Sequence, residues 1–416
     1  MSTTLGLLLL AAPALYTARM LAFRRAWQQL RVGGLGAWGL GGLDTGGPFA
    51  VASTKAAEDG SQLKQPRFSV LVAARNEVEN LPNLLCDLAQ QSLPVPEFEV
   101  LVVDDHSTDG TAALLAQAAA SSPFQLRILS LAELPEAGFG KKAAVQAALA
   151  LARAPWVVCT DADCRVGPDW LRCYATLLAE AGPQVRFVSG PVLLTGPETW
   201  LQQLSGLEFA GLVGTGAAGI AAGTPTMCNG ANLAYRPDAF AAVQGFVGNE
   251  HLPSGDDEFL LHKLHAAFPG SIRFLKHPAA IVRTIGPATL AALLQQRVRW
   301  ASKWRHYRHA PSQQLAVLVL LANVALVVGL VVLWWQPALA LWVVAAWTLK
   351  LGADCWFLTP VLQFLGRRRW LRWVPVLQLL YAPYALLVGL AGLRGGYVWK
   401  GRPVTSTPKS ATTPAS

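Results

Sequence analysis

Past Glu258 the chain carries one acid, Asp354, against 18 Lys/Arg, whereas residues 1–258 carry 24 Asp/Glu against 16 Lys/Arg. No single evenly solvated globule divides its charge in this way. The basic part is also the apolar part, so the division reads as an acidic, water-facing body followed by a segment seated in lipid. Charged residues make up 14% of the chain and mean hydropathy is +0.35, where a soluble domain has about a quarter charged residues. Disorder, a coiled coil and an ordinary cytosolic globule are thereby excluded. The net charge of +9 could suit a nucleic acid, but the basic residues flank apolar runs. That arrangement sets membrane topology rather than binding DNA or RNA.

Thr4–Phe23 is an apolar run of about bilayer length, interrupted only by Arg19 near its end, and it is followed and not preceded by positive charge at Arg24, Arg25 and Arg31. A cleaved leader has the opposite flank, so an uncleaved anchor with its N-terminus outside is expected. Arg31–Gln65 is Gly-rich and patternless, a flexible connector. Gln313–Gln336 and Ala338–Phe364 read as a membrane hairpin turning at Gln336-Pro337. Arg367, Arg368, Arg369 and Arg372 then mark a cytoplasmic loop, and Trp373–Leu393 reads as a further span. Four full spans would put Tyr397–Arg402 outside, against the positive-inside rule. Either the last segment is re-entrant, with Pro375 and Pro383 suiting a broken helix, or one span is miscounted. Trp200–Ala222 is long and apolar as well, but with Glu208 and five glycines it reads as a helix-and-loop stretch of the catalytic domain that touches the membrane, with a buried span as the alternative. The six cysteines form no CxxC pair and no His-paired spacing, so they read as small apolar packers in a reducing compartment.

From Phe68 onward, buried strands alternate with helices. Strands are expected at Phe68–Ala74, Phe98–Asp105, Leu126–Leu131 and Trp156–Asp163. Helices are expected at Asn80–Gln91, Gly110–Ala120 and Lys141–Arg153. This order predicts an α/β fold with a mostly parallel sheet covered on both faces. Ligands of such sheets sit at the carboxyl ends of the strands, near a switch in strand order.

Polar residues gather at those ends. The first strand runs into Arg75-Asn76-Glu77 and the second into Asp104-Asp105. Two adjacent acids at a buried strand's end repel one another unless something binds them; a base edge or a ribose hydroxyl would suffice. Asp109–Thr111 reads as a turn and helix cap. The fourth strand ends in Asp161-Ala162-Asp163, a pair of hard oxygen ligands for Mg²⁺ or Mn²⁺ on a diphosphate. Lys141 and Lys142 open a helix, placed either to meet phosphate or ribose or simply to be solvated. Asp256-Asp257-Glu258 precede a helix expected at Phe259–His265, and one of these carboxylates could act as general base. Gln296, Arg299, Trp300 and Lys303 recur at helical spacing and share a face, on a helix that could also lie on anionic lipid.

The ordered set ARNE, VVDDxSxDGT, DAD, GDD and QxxRW resembles the membrane-bound, inverting family 2 glycosyltransferases, a group including cellulose, chitin and hyaluronan synthases and ceramide glucosyltransferase. The resemblance spans roughly Phe68–Arg308 and, weakly, Trp399–Arg402. It implies a nucleotide-diphospho-sugar transferase (GT-A-like) fold and a divalent metal cofactor. By this resemblance Arg75, Glu77, Asp105 and Asp161 bind the donor nucleotide and Asp163 the metal, and Lys142, from its place at a helix start, is expected to join them at the donor. Asp257 is the general base, and Asp256, Gln296, Arg299 and Trp300 form the acceptor and diphosphate site. Asn229–Asn232 resembles the loop near the acceptor and is equally an ordinary turn. Gly255-Asp256-Asp257 departs from the more usual Thr-Glu-Asp, and the C-terminal spans are few for a polymer synthase, so a single transfer is as well supported as a processive one.

The implied organisation is an anchor (1–24), a connector (25–66), a cytoplasmic glycosyltransferase domain (67–287), an amphipathic interface helix (288–312), membrane helices (313–395) and a polar tail (396–416). The implied reaction moves a sugar from a UDP- or GDP-sugar to a hydroxyl of a lipid or glycan, forming a β-glycoside at a bacterial plasma membrane. No nucleic acid and no obligate protein partner is expected. Transfer to polyprenyl phosphate, or a catalytically idle scaffold, are the alternatives.

Overall fold

The computed structural model describes residues 2–32, 65–250, 252, 254–307, 309–394, 397–399 and 402–404. Most of the connector, the Lys400-Gly401 pair and the tail from 405 lie outside the described residues. In chain order the elements are α1 (Ser2–Gln29), β1 (Phe68–Ala74), α2 (Leu81–Ala89), β2 (Phe98–Asp104), α3 (Thr111–Ser121), β3 (Gln125–Ser130), α4 (Lys141–Leu151) and β4 (Trp156–Asp161). Next come β5 (Cys164–Arg165), α5 (Trp170–Ala181), β6 (Phe187–Ser189), β7 (Val192–Thr195), α6 (Trp200–Ala221), β8 (Leu233–Tyr235), α7 (Pro237–Ala242) and α8 (Asp256–Ala267). The rest are β9 (Ile272–Phe274), β10 (Val282–Ile285), α9 (Leu290–Ala301), α10 (Ala310–Val332), α11 (Ala340–Phe364), α12 (Val374–Arg394), β11 (Tyr397–Trp399) and β12 (Arg402–Val404).

Seven strands form one sheet in the order β3-β2-β1-β4-β8-β6-β9. The first four are mutually parallel and β8 runs antiparallel to both neighbours. Every residue of β2 is buried, because helices cover both faces and an uninterrupted apolar run is what such a strand requires. The chain builds outward from β1 to β3 and then returns to place β4 on the other side of β1. The strand order therefore switches between Ala74 and Asp161, where a ligand crevice is expected. β4 stops two residues earlier than its sequence suggests. Beyond the Ala162-Asp163 turn, Cys164 pairs with Thr284 of β10, so the chain leaves the large sheet for a three-stranded one, β5-β10-β7.

Two further elements differ from the sequence reading. Trp200–Ala222 is not helix and loop but one helix, α6, capped at Thr199 by its side chain. Its glycines serve close packing: a Cβ on Gly206 would stand 2.5 Å from the Trp370 ring, and one on Gly214 2.8 Å from Val361. α6 thus lies between the sheet and the long apolar helices. The acids 256–258, expected before a helix, are instead the first turn of α8, where the exposed amide dipoles favour negative charge.

Among the described residues five helices are long and apolar enough to cross a membrane. Two-thirds of α6 is inside the protein, whereas α1, α10, α11 and α12 turn most of their surface outward. Trp334 is 86% exposed and Trp335 73%, at the α10–α11 turn, which suits the aromatic belt of a lipid–water interface. α12 begins beside α6, where the Trp373 indole donates to Gln203 Oε1 at 2.9 Å. It ends with Gly392 against Ala301 and Ser302 at the end of α9, and β11 packs on α9. Both ends of this segment therefore touch the part of the protein that carries the α/β domain.

Candidate active site

A cavity of about 420 Å³ opens at the switch between β1 and β4. Arg75, Glu77, Asp105, Asp161, Asp163, Asp256, Asp257, Gln296, Arg299 and Trp300 all line it, and Lys142 does not. Arg75, just past β1, donates from Nη1 to the carbonyl of Asp105 at 2.8 Å, and so ties the tips of β1 and β2 together. Glu77 is buried and accepts from Asn80 at 2.7 Å. Asp105, 2% exposed, holds His106 Nδ1 at 3.1 Å and accepts the Gly140 amide at 3.1 Å. The repulsion expected of the Asp104-Asp105 pair is relieved locally: Asp104 accepts from the hydroxyl of Ser107, while Asp105 faces the cavity.

The two lysines that open α4 separate. Lys141 reaches into the cavity, 2.5 Å from Asp161 Oδ1 and 3.7 Å from Asp256 Oδ2. Its pKa is held up against burial by Asp161 and Asp256. Lys142 turns away, is buried, and donates to Asn249 and to the Leu252 carbonyl at 2.8 Å. Burial lowers its pKa to about 8. Lys142, expected at the donor, thus lies off the cavity and Lys141 faces it: successive residues on a helix point about 100° apart, and only one can face the crevice.

At the tip of β4, ligand atoms of Asp161, Asp163 and Cys164 lie within 4.8 Å of one another. Cys164 is buried and its thiol pKa is pushed far up by burial, which leaves the two carboxylates as a hard oxygen pair. Across the cavity Asp257 Oδ2 accepts the Gly230 amide at 2.8 Å. A Cβ on Gly230 would come within 2.9 Å of Lys141 Nζ, so the Asn229–Asn232 turn lies directly against the lysine head. Asn232 is buried and structural, bonded to Trp170, Tyr174 and two backbone carbonyls. Burial, with Asp256 and Glu258 nearby, pushes Asp257 up to about 6 despite the opposing charge of Lys303.

α9 supplies the remaining wall with Gln296, Arg299 and Trp300, continued by Lys303. Lys303 pairs with Glu258 at 2.9 Å, and Tyr307 also donates to Glu258. The sequence reading stopped at 303, yet Tyr307 continues the same helical spacing, and that period would have found it. It did not find the Arg297–Glu208 ion pair at 3.0 Å, although Glu208 is the one acid in an otherwise apolar stretch. The cavity floor is a stripe of α6 that includes Phe209, Leu212, Val213 and Gly216.

The family model described as "Glycosyltransferase like family 2" matches residues 66–302. The poly-beta-1,6-N-acetyl-D-glucosamine synthase of Staphylococcus epidermidis is 26% identical over 235 residues, 56% of this chain and 53% of that protein. The beta-monoglucosyldiacylglycerol synthase of a Nostoc species is 29% identical over 249 residues, 57% of this chain and 48% of that protein. The chain thus spans about half the length of these curated relatives. The mannosyltransferase PcManGT of Pyrobaculum calidifontis, solved with GDP-Man and Mn²⁺, shares the fold with a TM-score of 0.51 at 20% identity, covering 91% of this chain and 97% of that one. With the match extending from β1 through α9, and so over more than half of the sequence, this chain belongs to the family 2 glycosyltransferases.

Proposed function

We propose that the protein is an inverting enzyme that moves a sugar from a nucleotide-diphospho-sugar to a hydroxyl of a lipid or glycan, forming a β-glycosidic bond at the membrane. The observation that carries this reading is Lys141, whose ammonium stands between Asp161 and Asp256. The strand-tip acids and the α8 acids thereby face one another across a single cation, with Asp257 alongside. Asp105, Arg75 and Glu77 would receive the nucleoside, and Lys141 with Arg299 the diphosphate.

Asp257 has the properties of a general base. Its carboxyl is fixed by the Gly230 and Glu258 amides, and a pKa of about 6 leaves it ionised yet basic at neutral pH. It takes the proton of the acceptor hydroxyl as that oxygen bonds to the anomeric carbon. The bond to the diphosphate oxygen breaks on the opposite face, so an α-linked donor gives a β-linked product. Lys141 and Arg299 meet the charge that develops on the departing diphosphate. Trp300 offers an aromatic face to a sugar ring. Asp161 and Asp163 fit Mg²⁺ or Mn²⁺, which when bound would neutralise the diphosphate.

The apolar floor contributed by Phe209, Leu212 and Val213 supports a lipid acceptor over a glycan, whose hydroxyls it could not satisfy. For topology, α1, α10 and α11 cross the membrane while the segment ending in α12 enters and returns on the side it left. Arg24, Arg25, Arg31, Arg367, Arg368, Arg369 and the 397–404 hairpin then share the side of the α/β domain, in accord with the positive-inside rule. That side is the cytoplasm of a bacterial plasma membrane.

The test is donor hydrolysis and transfer by the purified protein in lipid, with UDP- and GDP-sugars, diacylglycerol and oligosaccharide acceptors, Mn²⁺ or Mg²⁺, and then EDTA. Metal-dependent release of one nucleotide, lost in Asp257→Asn, is expected. A folded protein that binds no nucleotide would refute the reading.

A further inference from the structure

We infer that Glu208, Arg297 and Tyr384 form a positioning knot that fixes the rotation of α9, and with it the aim of Gln296, Arg299 and Trp300 into the cavity. The inference rests on the reading that those three residues serve the transfer reaction.

The three members come from three different helices, α6, α9 and α12. Arg297 donates from Nε at 3.1 Å and from Nη2 at 3.0 Å to Glu208 Oε2, and the Tyr384 hydroxyl donates to Glu208 Oε1 at 3.1 Å. Arg297 is 4% exposed and does not line the cavity, yet Gln296 just before it and Arg299 and Trp300 just beyond do. Its remaining contacts reach two of those lining residues directly. Nη1 donates to Gln296 Oε1 at 2.5 Å, and the guanidinium lies 4.3 Å from the centroid of the Trp300 ring. On the other element Phe209 stands 6.0 Å from the same ring, so the indole is held between α6 and the guanidinium.

Adhesion is a poor explanation for this arrangement. Desolvating a carboxylate and a guanidinium offsets much of their attraction, and well-packed apolar residues usually join helices at least as strongly. Leu or Met at the two positions would bury more favourably between α6 and α9, but it would not specify rotation. A forked guanidinium on one carboxylate oxygen, with a phenol on the other, admits one angular setting of α9. If α9 turned about its axis, Arg299 and Trp300 would leave the wall while the helix stayed packed. Arg297, Glu208 and Tyr384 are therefore positioning residues that act through Gln296 and Trp300.

The experiment uses the full chain in lipid and compares wild type, Tyr384→Phe and the double variant Glu208→Leu/Arg297→Met. Removing both charges together avoids stranding one of them in the interior. Binding of UDP or GDP alone, with its stoichiometry, reports the folded fraction, and steady-state transfer gives kcat and the donor KM. For the double variant we expect unchanged nucleotide stoichiometry, an affinity for UDP or GDP weakened severalfold as Arg299 leaves the diphosphate, and kcat lowered about 100-fold, the scale of a displacement of about 1 Å at a reacting group. Tyr384→Phe should lower kcat roughly fivefold, as for one lost hydrogen bond, with donor KM unchanged. A double variant that turns over like wild type would overturn the inference, since a purely structural pair can be replaced by apolar residues. If the double variant does not bind nucleotide, Tyr384→Phe decides, and wild-type kcat in that variant overturns the proposal. Arg299→Ala and Trp300→Ala run in parallel. Should they transfer normally, the reading of α9 as part of the active site fails; should they lose transfer while the knot variants keep it, only the knot inference fails.

Discussion

Replacing Asp257 by Asn should abolish transfer and, above pH 6, make the protein more stable. The carboxyl is pushed from an ordinary value of 3.8 up to about 6 because burial and the neighbouring acids disfavour its charge. A shift of that size is worth about 3 kcal/mol at 1.36 kcal/mol per unit, held against the folded state wherever Asp257 is ionised. The side that opens on the cavity is screened by water, and Asn cannot accept from both the Gly230 and Glu258 amides as the carboxylate does. Discounting roughly 1 kcal/mol for these effects leaves a net gain of about 2 kcal/mol. The sign depends on pH. A folded pKa above the unfolded one gives a contribution that is fully present below 3.8 and is lost as pH rises through about 6. The advantage of the Asn variant should thus be absent near pH 4, grow through pH 6 and level off by pH 7.5. The assay is thermal unfolding in lipid or detergent at a series of pH values, paired with transfer at each. A variant less stable than wild type at pH 7.5, a stability gap that ignores pH, or retained transfer would each refute the reasoning.

Four further outcomes are expected. The acid limb of transfer should lie near pH 6, with about tenfold loss by pH 5, and Asp256→Asn should move it lower by removing a charge that raises Asp257; a limb that stays in place would assign the ionisation elsewhere. Lys141→Met should weaken nucleotide-sugar binding at least about tenfold while Lys142→Met changes it little, measured by titration of the donor. Asp163→Asn should raise the Mn²⁺ concentration needed for half-maximal transfer by about 10- to 100-fold, and an unchanged metal titration would remove Asp163 from the metal site. Cysteines placed at Glu133 and at Arg402 should be labelled from the same side of the membrane in oriented vesicles; labelling from opposite sides would mean that α12 crosses.

Much of the site could be read from the chain because parallel sheets present their strand ends to ligands. Asp105, Asp161 and Asp163 stand at the carboxyl ends of β2 and β4, where polar residues break apolar runs. Glu99 shows the limit of that reading: it is acidic and fully buried, but it sits near the amino end of β2, bonded to Ser69 and the Arg153 amide, and is structural. In sequence α6 reads as helix and loop, because five glycines normally end a helix in water. Here they let Trp370 and Val361 approach the helix axis, and packing repays the lost propensity.

By itself the sequence determined the α/β order, the acids at strand ends and the division between a polar body and lipid-seated helices. These follow from period and polarity along the chain, which depend only on near neighbours. Tertiary structure alone decided that Lys141 and not Lys142 faces the crevice, and that Arg297 turns to Glu208 while Arg299 faces the cavity. It also decided that α12 returns to α9. Each of these depends on how a helix is rotated or where it ends against another element. That choice is made by partners far away in sequence, as Glu208 and Tyr384 are for Arg297.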